Sequence, residues 1–213
     1  MSPRTPEQFE GIREEKRKLI MNVALEHFAA EGYHNTTINH IAKHAGISKG
    51  LMYNYFESKE ELLAAIVNRS LSEIVRYFDP DRDGYLTEDE FELFVRKLFK
   101  IILEKRTFWR LFYQLLMQKD VRDMFLKSSV GQVDSVMAIY SGINEPFLTF
   151  FNKVMTDYFN RKKERKPPDY DPVVDLNLFL YTMEGFGMVA AYLEGVDMTN
   201  HDKVIDRIVE LYK

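Results

Sequence analysis

Apolar residues in this chain recur three and four apart almost from end to end. No run of alternating β-branched residues bounded by turn signals interrupts them, so the pattern predicts an all-α fold. Thr5 and Pro6 predict a helix start, with threonine as cap and proline at the first helical position. That helix runs to about Ala30 with Leu19, Ile20, Val23, Ala24 and Phe28 on its apolar face, and Gly32 stops it. Two short helices are expected at about 37–44 and 48–55, then a longer one from about Lys59 to Phe78. Beyond an acidic loop, helices are expected at about 88–105, 107–118, 120–127, 144–164, 172–194 and 200–212, with 128–143 ambiguous and a break at Lys166-Pro167-Pro168.

Composition narrows the chemistry. The hydrophobic share of 46% supports a buried core, and the absence of cysteine removes disulfides, thiolate zinc sites and cysteine nucleophiles. The polar N-terminus lacks a signal-peptide profile, and no apolar run approaches the ~20 residues that span a bilayer. The expectation is a soluble cytoplasmic protein without a membrane partner. No G-x-S-x-G, Walker A, G-x-G-x-x-G or H-E-x-x-H motif is present, so neither an enzyme nor an organic cofactor is expected.

The segment Thr36 to Leu62 carries the strongest functional pattern. Thr37 is placed to cap a helix whose inward face is Ile38, Ile41, Ala42 and Ala45. Gly46 supplies a tight turn, Ile47 plugs the angle, and Ser48 caps a second helix. That second helix buries Met52 and Phe56 and turns Lys49, Leu51, Tyr53, Asn54 and Tyr55 outward, a mixture of groups suited to base edges, thymine methyls and phosphates. A solvated helical hairpin is the plain alternative. The net charge of −4 gives DNA binding little help, although His40 to Lys59 holds Lys43, Lys49 and Lys59 against Glu57 alone.

Over about residues 13–64, through FAAEGY, TTINHIA, AGISKG and YNYFESKEEL, the sequence resembles the TetR family of regulators. The resemblance implies a three-helix helix-turn-helix head (1–64) joined by a linking helix to a larger ligand-binding and dimerisation body (65–213). It places Asn39, Lys49 and Leu51 toward base edges of an operator duplex. Thr37, Ser48, Tyr53, Tyr55 and Lys59 fall to phosphates, Gly50 allows close approach, and Asn54 could serve either purpose. It further implies a repressor that dimerises through its last two helices, where Gly185, Gly187, Ala190 and Ala191 would let helices approach; an intramolecular contact is the alternative. A small apolar effector is expected in a body rich in large soft side chains, with Phe112, Met117, Phe151, Met155, Met183 and Phe186 as candidate pocket residues.

The loop Asp79 to Glu90 matches a different pattern, the twelve-residue EF-hand calcium loop. Asp79, Asp81 and Asp83 occupy its first, third and fifth positions, Gly84 the sixth, Tyr85 the carbonyl position, Thr87 the ninth and Glu90 the last. Ca2+ is the expected ion, with Mg2+ as alternative. Like charges ~6 Å apart repel by roughly 0.7 kcal/mol even in water, which a divalent ion reverses. A capping box at Thr87–Glu90 explains the end of the loop but not the three aspartates. EF-hands usually pair through residues equivalent to Tyr85–Thr87, and no second loop exists here. A calcium sensor or scaffold with a protein-binding head is therefore the second functional reading. His40 and His44, four apart on one helix, lack an obvious third metal ligand, and the basic run Arg161–Lys166 reads as cations at a helix C-terminus.

Overall fold

Helices account for all the regular structure among the described residues, which in this computed structural model are 5–118, 145–193 and 200–213. They are α1 (Pro6–Glu31), α2 (Ile38–His44), α3 (Lys49–Tyr53), α4 (Lys59–Phe78), α5 (Glu88–Glu104), α6 (Arg106–Met117), α7 (Glu145–Arg161), α8 (Pro172–Tyr192) and α9 (His201–Tyr212). The expected all-α class is what forms. The expected helix at 120–127 and the ambiguous stretch at 128–143 lie outside the described residues. The chain divides into two compact units, Met1–Arg69 and Ser70–Lys213, with the boundary inside α4.

In the first unit, the caps dictate where helices begin. Thr5 accepts from the Gln8 amide while the Gln8 side chain returns to the Thr5 amide, and Gly32 leaves α1 at φ +85°. The core is Ile20, Ala24 and Phe28 of α1, Ile41 and Ala42 of α2, Met52 of α3, Phe56, and Leu62, Leu63 and Ile66 of α4, all essentially without solvent contact. Each of the larger side chains among them contributes about 1.5–3 kcal/mol on burial. That burial is what holds α3, since five residues do not sustain a helix in water.

The second unit is built on aromatic rings. Phe78, at the end of α4, lies 5.1 Å from Phe94 and 4.5 Å from Phe151 between ring centroids. Phe91 stacks on Tyr158 at 4.6 Å, and Phe179 of α8 meets Phe91 at 5.2 Å and Tyr212 at 5.4 Å. Helix α8 packs against α5, α6 and α7. Pro172–Tyr192 also has the length and mean hydropathy (1.2) of a candidate membrane span, which the reading of apolar runs did not anticipate. Phe179, Leu180, Met183, Ala190 and Ala191 are buried inside the unit, while Val173, Val174, Leu178, Tyr181, Met188 and Val189 are exposed.

Small residues on α8 serve that interior. Gly187 faces the buried Tyr113 of α6, and an added Cβ would lie well inside contact distance of the phenol oxygen. Gly185 alone of the four small positions faces open space. The alternative explanation, an intramolecular approach, thus accounts for Gly187, Ala190 and Ala191.

Candidate functional site

The turn between α2 and α3 forms as its residues dictate. Thr37 accepts from the His40 amide at 3.2 Å and Ser48 from the Leu51 amide at 3.1 Å. Gly46 takes φ +66°, a conformation that favours glycine. Helix α3 is shorter than the expected 48–55: past Tyr53 the bonding tightens to a turn, with the Asn54 amide on the Leu51 carbonyl and the Tyr55 amide on the Met52 carbonyl. Met52 and Phe56 point inward with no more than 1% exposure.

Of the ten positions assigned to DNA, Thr37, Asn39, Ser48, Lys49, Gly50, Leu51, Tyr53 and Asn54 are exposed, and Tyr55 and Lys59 are half-buried. Leu51 at 39% and Tyr53 at 45% exposure are large apolar-bodied side chains with no core to enter, as a reading face requires. Lys59 has an internal task. Its amine donates to the carbonyls of Tyr33 (2.9 Å), Thr36 (3.1 Å) and His34 (3.5 Å) and lies 4.4 Å from the Tyr33 ring. In this conformation all three of its donors hold the loop after α1.

Sequence reasoning missed the residues that fix the far end of α3. Arg17 donates to the Tyr55 carbonyl at 3.0 Å and covers the Phe56 ring at 4.3 Å, and Arg13 donates to the Asn54 carbonyl at 3.3 Å. These cations stand where a helix dipole is negative. Their spacing on α1, four apart and N-terminal to the apolar face, was the only signal available. Tyr33 donates to Glu60 at 2.9 Å; burial and that carboxylate push the phenol far above its ordinary value, and the same bond helps hold Glu60 low.

Residues 20–66, which include the whole of this turn, match the family model described as bacterial regulatory proteins, tetR family. The head is similar to a TetR-type domain. Among known proteins, the chain is 31% identical over 141 residues to the HTH-type transcriptional regulator YuxN of Bacillus subtilis, covering 62% of this chain and 48% of that one. It is 27% identical over 84 residues to a fatty acid metabolism regulator protein of the same organism, covering 39% of this chain and 43% of that one. The chain therefore spans under half the length of these relatives. The fold resembles the fatty acid regulator FadR of Bacillus subtilis in complex with stearoyl-CoA (TM-score 0.59, 17% identity, 92% of this chain and 97% of that one). It also resembles the ketosteroid regulator KstR2 of Mycobacterium tuberculosis (TM-score 0.64, 19% identity, 92% of each chain).

The second unit holds the acidic loop. Asp79, Asp81 and Asp83 each offer a carboxylate oxygen within 4.8 Å of the others. The backbone shapes the cradle: Gly84 at φ +77° donates to Asp79 Oδ2 at 3.0 Å, and Tyr85 to Asp83 Oδ1 at 2.7 Å. Asp79 is only 6% exposed, and its Oδ1 is buried without a hydrogen-bond partner among the described residues. Burial pushes its carboxyl above the usual range, with the Asp81 carboxylate adding to that, while the Gly84 and Arg82 amides pull it back. An orphaned buried oxygen facing two further carboxylates is what a divalent cation would satisfy.

Glu90 is not gathered with the aspartates. Its Oε2 accepts from the Thr87 amide at 2.8 Å and the Thr87 hydroxyl at 2.7 Å, the capping box of α5. The charge crowding is also lighter than the sequence suggested, since Glu88 pairs with Arg165 and Asp89 with Lys213. The missing second hand has a substitute: Arg161 donates to the Leu86 carbonyl and lies 3.9 Å from the Tyr85 ring. Leu86 itself is fully buried.

The six candidate pocket residues sit in different settings among the described residues. Phe112, Phe151, Met155 and Met183 are buried in core contacts, Phe186 packs on Phe99 at 4.3 Å, and Met117 is 70% exposed. Met117 stands at the last turn of α6. Among the described residues, cavities of about 460 and 370 Å3 are lined by other residues, the first by Arg96, Lys100 and Ile205 among them, the second by Tyr85, Arg161, Lys162 and Lys213.

Proposed function

We propose that this chain is a TetR-type transcriptional regulator that acts as a homodimeric repressor on operator DNA. The single observation that carries this is the α2–α3 turn, with its inward residues buried and its candidate reading face exposed, inside the segment that matches the tetR family. Lys49, Leu51, Tyr53 and Asn54 lie on that face. Such a head reads a major groove through the N-terminal part of its second helix.

The body takes a small apolar effector. The fatty-acid regulator among the relatives and the stearoyl-CoA complex among the similar folds support an acyl chain as its class. An effector controls operator binding only by binding two states of the body unequally. Dimerisation through α8 and α9 is supported by an apolar stripe left outside: Leu178, Tyr181, Met188, Val189 and Tyr192 on α8, and Val204 and Leu211 on α9. The loop 79–90 takes Ca2+, supported by the orphaned Asp79 oxygen.

The test is selection of bound sequences from a random duplex pool, then mobility shift on the selected duplex. The expected result is a defined, two-fold related sequence whose binding is lost in a Lys49→Ala/Tyr53→Ala variant and weakened by long-chain acyl-CoA. A pool that never enriches would refute DNA reading. Enrichment without an acyl-CoA response would refute only the effector class.

A further inference from the structure

His27 and Glu31 stand four residues apart on α1, and His40 and His44 four apart on α2, so each helix carries its pair on one face. The packing of α1 on α2 brings those faces together. Ring centroids lie 4.5 Å apart for His27 and His40, 4.6 Å for His27 and His44, and 4.5 Å for His40 and His44. That is a nearly equilateral triangle. One ring nitrogen from each histidine falls within 4.8 Å of the other two, with His27 Nε2 and His44 Nδ1 at 2.5 Å. Around a tetrahedral zinc ion with bonds of 2.0–2.1 Å, neighbouring nitrogens sit about 3.3 Å apart, so these nitrogens bracket the required spacing.

Glu31 completes the arrangement. Its Oε1 lies 2.8 Å from His27 Nδ1 and its Oε2 3.4 Å from His40 Nδ1. A carboxylate on the outer ring nitrogen fixes the tautomer and leaves the inner nitrogen's lone pair for a metal, as in carboxylate–histidine–zinc arrangements. Stacked surface imidazoles are the ordinary alternative. They need no carboxylate on the far side of the ring, and they do not require three ring nitrogens within 4.8 Å of one another.

The geometry points to a zinc(II) site in the head, with His27, His40 and His44 as ligands, Glu31 as the orienting carboxylate and a fourth position open to solvent. The site ties α1 to α2, the helix that supports α3. Imidazole ligands suit zinc, copper and nickel, whereas the oxygen-only loop at 79–90 suits calcium or magnesium, so the two sites select different ions. This inference does not rest on the function proposed above.

Zinc titration of the full-length protein in excess calcium tests it. Nitrogen NMR of the wild type should show ring signals of His27, His40 and His44 shifting together, while those of His34 and His201 stay. Uptake should saturate at one zinc per protomer, vanish in His27→Gln and His44→Gln, and weaken about 10- to 100-fold in Glu31→Gln. Melting in chelator should show all three variants folded like the wild type. Absence of saturable zinc uptake, no shift of the three ring signals, or uptake undiminished in His27→Gln and His44→Gln would overturn the site.

Discussion

Replacing Gly187 with alanine sets two opposing effects against each other. Alanine is about 1 kcal/mol better than glycine inside a helix, and α8 is continuous through this position. Against that, the new Cβ collides with the Tyr113 oxygen and lies 3.2 Å from its Cζ. The ring cannot simply move, because Tyr113 is buried with Trp109 at 6.0 Å and Phe112 at 6.1 Å between centroids. Overpacking of this kind costs about 1–3 kcal/mol. Displacing the ring also breaks its 3.3 Å hydrogen bond to the Glu184 carbonyl, a loss of about 1 kcal/mol. The balance is a net destabilisation of about 1–3 kcal/mol, which in a chain of this size lowers the Tm by roughly 2–4 °C per kcal/mol. Tyr113→Phe removes the colliding oxygen and should itself lose only about 1 kcal/mol. In the phenylalanine background, Gly187→Ala should be neutral or slightly stabilising, leaving only the tight approach to Cζ. Urea unfolding of the four proteins in the cycle measures this. If Gly187→Ala is equally harmful with tyrosine and with phenylalanine at 113, the oxygen is not the obstacle and the packing argument fails.

Four other substitutions probe the body. Calcium at 100 times its dissociation constant should stabilise the fold by about 2.7 kcal/mol; Asp79→Asn should abolish the thermal shift. Glu90→Gln should keep the melting temperature measured in chelator, because glutamine still serves the capping box, yet lose part of the calcium-dependent rise; a full rise would leave Glu90 as a cap alone. Arg82 holds φ +61° without being glycine. Arg82→Gly should relieve about 1–2 kcal/mol of left-handed strain, offset by about 0.5–1 kcal/mol of chain entropy, so calorimetry should find a small gain and never a loss. Lys162 is buried against the Tyr158 and Phe159 rings, with its amine on the Tyr212 carbonyl. Burial, with Lys166 adding to it, pulls the amine from 10.5 to about 8. Between those values the unfolded chain binds more protons, so this group's contribution to stability rises as pH climbs from about 8 to 10.5. Urea midpoints across that range should rise more for wild type than for Lys162→Met; parallel profiles would refute the shift.

What could be read from the sequence was mostly local. Caps and stops at Thr5, Gly32, Thr37, Ser48 and Thr87 are chosen by neighbours within four residues, and the helices begin or end beside them. The turn at Gly46 and the inward Met52 and Phe56 followed from the same short-range logic. Contacts that close over long stretches of chain were not legible. His40 and His44 lacked a third ligand until α1 supplied His27 and Glu31 from the other side of a helix pair. The partner of the Leu86 carbonyl, Arg161, lies 75 residues away, and periodicity gave no reason to choose it. Gly187 and its small neighbours fitted a subunit interface and an internal approach equally well until Tyr113 was seen against the glycine.

Lys59, with its amine turned to three carbonyls, has a consequence for how the head responds to its surroundings. Each cation placed on a phosphate adds about 0.9 to the logarithmic salt slope of DNA binding. A head that uses this lysine internally, and offers Lys43 and Lys49 as the exposed cations of its turn, releases few counterions on docking. With both lysines of each protomer on phosphates, the dimer proposed above should show a slope of about 3.6, shallower by about 1.8 than if Lys59 also reached a phosphate. A regulator of this kind would still loosen from its sites as salt rises, only less steeply than one whose three lysines all lay on phosphates.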